Sequence, residues 1–395
     1  MDVRAIILVA TSTDTQKAID GNGTSVHPLA DGTVSGIPIP LLPLFGRSAV
    51  SRLAERLVES GVDSVSIFSS GEALDQKPLP AQVSWKNESP ENIWRAAEDE
   101  FADLAQRGAE LVLLLRMGPY VEFNLDNLLQ FHIDQRSRVT QVCDAAGPLD
   151  YFVISSSRRN DAAHLFRTGL TKSRVPVREF HFPTYVNRLE HPKDFRQLAL
   201  DSFNLKTSIR PGGKEIRPGI WKEDGARIDR GARVIAPAYI GAGSRIRASA
   251  LVTRGSAIEH HSLIDCGTAV DNSTVLPYSH MGPGLDLCNS ILSLQQITNL
   301  RRNVLVTIED PTLVKAVSQT ASVRLLEHTA ELFSYLPRQI WRGLSGVESP
   351  KPVSIAETTN VDMQHYEPPL VGDCARQDSK VFETDLAVVR RYGNQ

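Results

Sequence analysis

The stretch IDRGARVIAPAYIGAGSRIRASALVTRGSAIEHHSLIDCGTAVDNSTVL, Ile228 to Leu276, decides the architecture. Apolar residues recur every six positions: Ile228, Val234, Ile240, Ile246, Val252, Ile258, Ile264, Val270 and Leu276. A small side chain stands two residues before each: Ala226, Ala232, Ala238, Ser244, Ala250, Ser256, Ser262, Thr268 and Thr274. Neither the period of a helix nor the alternation of an ordinary strand generates this pattern. A short fixed repeat marks a solenoid, in which each unit buries its apolar side against the next. Six residues make one short strand and one corner. The apolar residue points inward and the small one eases the turn.

Outward from the repeat, composition sets bounds. A chain of 395 residues predicts two or three domains of ordinary size. Apolar content of 41% and charge of 23% predict a folded soluble protein. The net charge of -3 gives no basis for a nucleic-acid partner or an anionic membrane. Four cysteines, Cys143, Cys266, Cys288 and Cys374, lie far apart without a CxxC pair, which fits a reducing, cytoplasmic compartment and gives no support for a zinc site or a disulfide framework. The apolar run after Arg4 is too short for a signal-peptide core, and no run reaches the length of a membrane span.

The first half reads as alternating strands and helices. Ala5 to Ala10 is a continuous apolar run, hence a buried parallel strand. Residues 11–37 carry no periodicity and predict a long loop; Pro38 to Leu44 reads as extended. Helices are expected over Ser48 to Glu59, Glu91 to Gln106 (capped by Ser89), Leu125 to Gln135, Asp161 to Phe166 and His191 to Phe203. Strands are expected at Ser64 to Phe68, Glu110 to Leu115 (central), Val139 to Val142, Tyr151 to Ile154 and Val175 to Phe182 (edge). This alternation predicts a three-layer α/β domain over 1–205. A linker over 206–224 and a solenoid over 225–300 follow. Asp310 as cap and Pro311 at the first position predict a helix over 310–336 covering the solenoid end. Residues 344–395, rich in Pro, Glu, Ser, Thr and Asp, read as a disordered or loosely packed tail.

Two motifs in the first half carry a resemblance. Gly21-Asn22-Gly23-Thr24-Ser25-Val26-His27-Pro28-Leu29 is followed by Pro38-Ile39-Pro40-Leu41-Leu42-Pro43 and then Leu44-Phe45-Gly46-Arg47-Ser48. Order and spacing resemble the sugar-nucleotide pyrophosphorylases, which join a nucleoside triphosphate to a sugar 1-phosphate. The resemblance implies a Rossmann-like nucleotidyltransferase domain followed by a left-handed β-helix of hexapeptide repeats. It makes Gly21, Gly23, Thr24 and Ser25 a nucleotide-binding loop.

The chain departs from that pattern where the chemistry would lie. Ser25 and Ile39 stand where the family has an arginine and a lysine. Arg116-Met117-Gly118-Pro119 follows the central strand where a metal-binding aspartate is expected, and Glu122 comes several residues later. In Tyr185-Val186-Asn187-Arg188-Leu189-Glu190-His191-Pro192, Asn187 takes the place of the second metal-binding aspartate, and it is a weaker ligand for a hard cation. Phosphoryl transfer needs cations over the phosphates and a carboxylate-held metal. The expectation is therefore a non-catalytic or regulatory homologue in nucleotide-sugar or polysaccharide biosynthesis. It would bind a nucleotide or nucleotide sugar and form a homo-oligomer, or a hetero-oligomer with an active relative. Lys17, Arg47 and Arg116 are candidate anion-binding groups. An active nucleotidyltransferase with displaced groups (Asp14 or Glu122) would require Mg²⁺. Hexapeptide-repeat acyltransferases offer a third reading, with a histidine as general base: His280 first, then His260 and His261. The arginines of the early coils, Arg227, Arg230, Arg233, Arg245, Arg247 and Arg254, would meet a phosphate or acidic partner, or form a solvated face.

Overall fold

Five strands of continuous or near-continuous apolar sequence build the centre of the first layer. In a computed structural model, residues 1–9, 26–28, 32–71, 73–75, 77–89, 92–156, 177–182 and 184–317 are described. Strands β1 (Val3–Val9), β2 (Ser64–Ser69), β3 (Val83–Asn87), β4 (Leu111–Arg116), β5 (Val139–Asp144), β6 (Gly147–Ser155) and β7 (Arg178–His181) form one sheet. Its order is β7-β5-β6-β4-β1-β2-β3. The β1, β2, β3 and β4 pairings are parallel; β6 runs antiparallel to both β4 and β5. Helices α1 (Ala49–Glu59), α2 (Ile93–Gln106), α3 (Leu125–Asp134) and α4 (Pro192–Phe203) alternate with the strands. Odd-numbered residues of β1 (Ala5, Ile7, Val9) enter one apolar cluster and even-numbered ones (Ile6, Leu8) the other. A strand buried on both faces needs no polar alternation, which is why the run is continuous. Ser48 caps α1 by accepting from the Ser51 amide, as its hydroxyl at the helix start predicts. The α2 cap is Asn92 rather than Ser89, whose carbonyl accepts from the Asn92 and Ile93 amides.

The repeat folds into three stacked parallel sheets, a solenoid-like region. Strands pair with partners 18 positions on through the early coils: Arg245 with Leu263, and Leu251 with Ala269. The interior is the predicted column: Ile240, Ile246, Val252, Ile258, Ile264 and Val270 are fully buried in one cluster. The small residues two positions earlier carry a second function. Ser244 Oγ donates to Glu259 O at 2.6 Å, Ser262 Oγ to Leu276 O at 2.9 Å and Thr268 Oγ1 to Gly282 O at 2.6 Å. Each buried hydroxyl satisfies a carbonyl of the next coil that would otherwise be orphaned. Several of the early-coil arginines also tie coils together: Arg245 to Asp229 at 3.3 Å, Arg247 to Asp265 at 3.6 Å and Arg254 to Asp271 at 3.4 Å.

Four local expectations are corrected. The coil shortens after Val270: Ile258 pairs with Val275, 17 positions on, so Val275 takes the interior place expected for Leu276. Leu276 is buried in the cluster shared with the α/β layer. The stretch 206–224 is not a linker throughout, because Lys214–Arg217 and Ile220–Lys222 form a hairpin whose second strand begins a solenoid sheet. Pro38 to Leu44 is interrupted by a 3₁₀ turn over Ile39–Leu41. Residues 310–316 are a turn and a strand (Val314–Ala316), not the start of a helix. Asp310 Oδ1 accepts from the Thr312 amide at 2.8 Å, an Asx turn, and the strand pairs antiparallel with Ser279–Met281. The open edge of a solenoid sheet supplies unpaired backbone groups, and pairing with them outweighs local helical preference. The expected helices over 161–166 and 318–336 and the tail 344–395 lie outside the described residues.

The α/β layer and the solenoid region belong to one compact unit that takes in Met1–Val317. Phe45 meets Tyr239 edge-on at 5.1 Å, and Phe203 stacks on Trp221 at 5.7 Å. Glu259 of the solenoid is fully buried and accepts from the Phe45 and Gly46 amides, both at 2.8 Å. Arg196 of α4 reaches the other way, donating to Thr274 Oγ1 at 3.2 Å, Asn272 Oδ1 at 3.1 Å and Gly255 O. Burial lowers its pKa to about 10. Among the described residues no helix is long and apolar enough to cross a membrane.

Candidate functional site

The sheet order places β2 and β3 on one side of β1 and β4 on the other. The order in which strands are added therefore reverses at the parallel β1–β4 boundary, where open α/β sheets bind ligands beyond the carboxyl ends of their strands. A cleft of about 310 Å³ opens there. Val9 ends β1 and Arg116 ends β4, and both line it with Gly32, Pro38, Pro40, Met117, Gly118, Pro119, Asp150, Arg188 and Glu190. The Met117 amide donates to Leu8 O at 2.7 Å, holding the exit of β4 against β1. Tyr151, fully buried, donates from its hydroxyl to Pro119 O at 2.7 Å and fixes the next turn. On the far side Val186–Asn187 pairs antiparallel with Tyr120–Val121. The chain then turns through Leu189, a non-glycine residue at φ 50°, so that Arg188 and Glu190 flank the opening.

The cleft is electrostatically mixed. Arg116 Nη1 lies 3.2 Å from Asp150 Oδ2, and Arg188 Nη2 lies 2.8 Å from Asp144 Oδ1. Arg188 Nη1 is 4.0 Å from Glu190 Oε1. The Arg116–Asp150 pair is about one-third exposed, and such pairs contribute about 0–1 kcal/mol. An incoming oxyanion can recruit Arg116 at little cost. Two guanidiniums from separate elements facing one space suit a phosphate or carboxylate, whose oxygens accept their planar forks.

Of the residues named from sequence, Arg116 lines this cleft. Pro38 and Pro40 line it too, whereas Ile39, at the family's lysine position, is buried in the apolar core. Arg47 is directed elsewhere, to Glu55, to Lys77 O and, at 3.2 Å, to Pro78 O. Asn187 is 8% exposed and its amide holds backbone: Nδ2 donates to Asp194 O at 2.9 Å, and Oδ1 accepts from the Leu189 amide at 3.1 Å. Glu122 accepts from Tyr120 Oη at 3.0 Å and from the Ser208 hydroxyl at 2.6 Å. Asp14, Lys17, Gly21, Gly23, Thr24 and Ser25 lie outside the described residues. Val26–Pro28, the end of that motif, pairs antiparallel with Val304–Thr307 in the solenoid region. Asp150, Asp144, Arg188 and Glu190 were not anticipated. Arg188 and Glu190 sit beside Asn187 in the segment already singled out; nothing local marks Asp150.

The solenoid histidines occupy a separate place. His280 Nε2 lies 3.5 Å from Asp265 Oδ2. Burial alone would raise the Asp265 pKa, but the nearby His280, a hydrogen bond from the Cys266 amide and the charge of Arg247 hold it down to about 2. His280 is 8% exposed, between Leu263 on one strand and Lys315 on the next. His260 is 2% exposed, and burial with the neighbouring His261 lowers its pKa to about 4. His261 stacks on Tyr278 at 5.4 Å. These imidazoles are packed into the coils and do not share the cleft.

No protein-family model matches the chain, and no curated protein matches it.

Proposed function

We propose that this chain is a nucleotidyltransferase-like protein of nucleotide-sugar or polysaccharide biosynthesis that binds a phosphate-bearing ligand in the β1–β4 cleft without transferring a nucleotidyl group. The α/β layer followed by a solenoid-like region is compatible with such a fold in general. The hexapeptide period favours a left-handed coil, and a cytoplasmic homo-oligomer or a complex with an active relative fits the composition. The observation that carries the reading is the pairing inside the cleft. Arg116 and Arg188 offer two cations, while the lining carboxylates Asp150 and Glu190 each face one of those guanidiniums. A guanidinium beside each carboxylate adds positive charge where Mg²⁺ would have to sit. Asn187, at the position matching a metal ligand, holds backbone instead.

A second reading keeps catalysis, with Asp150 and Glu190 as displaced metal ligands, because both carboxylates line the same cleft as Arg116. Mg²⁺ would then neutralise the triphosphate. One assay separates the two. With a nucleoside triphosphate, a panel of hexose 1-phosphates and Mg²⁺, the leading reading expects no pyrophosphate above a protein-free blank. Sustained turnover abolished by Asp150→Asn would overturn it in favour of the second.

A further inference from the structure

At the outer edge of the α/β sheet, β7 pairs in parallel with β5, with Cys143 beside His181 and Gln141 beside Glu179. Side chains two apart on a strand share a face, so Glu179 and His181 lie together and Cys143 joins them from the neighbouring strand. Among the described residues they form a group whose ligand atoms all lie within 4.8 Å of one another. We infer that Cys143, Glu179 and His181 bind one thiophilic divalent cation, for which zinc is the best fit.

Two observations support the site. First, His181 Nε2 and Glu179 Oε2 are 3.3 Å apart, long for a hydrogen bond. Two ligands at about 2.0–2.1 Å from a tetrahedral ion stand roughly 3.3–3.4 Å from each other, so the pair is already spaced for coordination. Second, the thiol is buried and makes only a 4.0 Å contact to Gln141 O, which leaves its sulfur with a weak partner. A bound cation would stabilise the Cys143 thiolate. A sulfur–imidazole–carboxylate set excludes Mg²⁺ and Ca²⁺, which prefer oxygen alone, and suits zinc with water in the fourth position. The inference does not depend on what the arginine cleft binds.

The competing explanation is that Glu179 and His181 are charged guards on an edge strand, deterring pairing with other chains. Guards have no use for the buried thiol, so Cys143 discriminates. Full-length protein freed of metal with a chelator is titrated with Co²⁺, followed by competition with Zn²⁺. The expected result is a thiolate-to-cobalt charge-transfer band, saturating at one equivalent and displaced by zinc. Cys143→Ser removes the band. His181→Ala, at an exposed position that leaves folding intact, weakens binding roughly 10-fold or more. The inference is overturned if the wild type shows no band, if the band persists in Cys143→Ser, or if His181→Ala binds as tightly as the wild type.

Discussion

Glu259 offers a sharp test of how the two layers are joined. Its carboxyl is fully buried and receives two successive amides, Phe45 and Gly46, at 2.8 Å each. Both donors sit in the hairpin turn between Pro43–Leu44 and Arg47–Ser48, at φ 55° and 78°. Glu259→Ala leaves two buried donors unsatisfied, at about 1–3 kcal/mol each, so a loss of about 2–6 kcal/mol is expected. Glu259→Gln keeps one acceptor and turns an NH₂ towards the other amide, which predicts about half that loss. The pH dependence adds a second signature. Burial, only partly offset by the two amides, raises the Glu259 pKa from 4.5 to about 8, with Glu223 adding to the rise and Arg52 opposing it. The folded protein then holds a proton that the unfolded chain releases between those values. This contribution to stability is full below pH 4.5 and is lost as pH climbs from 4.5 to about 8. At about 1.4 kcal/mol per pKa unit, the window is worth on the order of 5 kcal/mol. Urea unfolding at a series of pH values measures both effects. Wild-type stability should fall across the window, and Glu259→Gln should flatten that fall. An unchanged pH slope in Glu259→Gln, together with a loss below about 0.5 kcal/mol in Glu259→Ala, would refute the reasoning.

Other perturbations have equally defined outcomes. Arg196→Ala removes a buried cation that serves three solenoid acceptors and should cost about 3 kcal/mol or more in urea unfolding; Arg196→Lys, without the planar fork, should restore little of it. Gly241→Ala places a Cβ 2.6 Å from the His260 amide nitrogen and 2.9 Å from the Glu259 carbonyl carbon, so the coils must separate, at a cost of about 1–3 kcal/mol or more, visible as a lowered Tm. Leu276→Ala opens a cavity in the cluster shared with the α/β layer and should cost about 2–5 kcal/mol, although the six-residue count would place this residue inside the solenoid.

The solenoid was legible because each coil repeats the same local requirement: one apolar residue inward and one small residue at the corner. The α/β strands were legible because burial on both faces writes an unbroken apolar run. What sequence reasoning missed depends on contacts distant along the chain. The shortened coil after Val270 shows only when Ile258 is paired with Val275. The hairpin at Lys214–Lys222 has an exposed first strand, so no apolar pattern announces it. Asp310-Pro311 reads equally as a helix start and an Asx turn, and the open edge at Ser279–Met281 selects the strand. Glu259 and Arg196 look like surface charges until the layers close over them. In the cleft, Arg116 was visible at the end of the central strand. Asp150 enters on an antiparallel strand that only the sheet order brings beside it.

The central claim is that the Arg116–Arg188 cleft holds a phosphate-bearing ligand intact. Calorimetric titration of a panel of nucleotide sugars into wild type, Arg116→Ala and Arg188→Ala tests it most directly. Loss of a charged hydrogen bond costs about 1.5–3 kcal/mol, or roughly 10- to 150-fold in Kd. The account predicts saturable binding by wild type, weakened by that factor in each variant, with the ligand recovered unchanged. Absence of binding across the panel, or equal affinity in all three proteins, would contradict it.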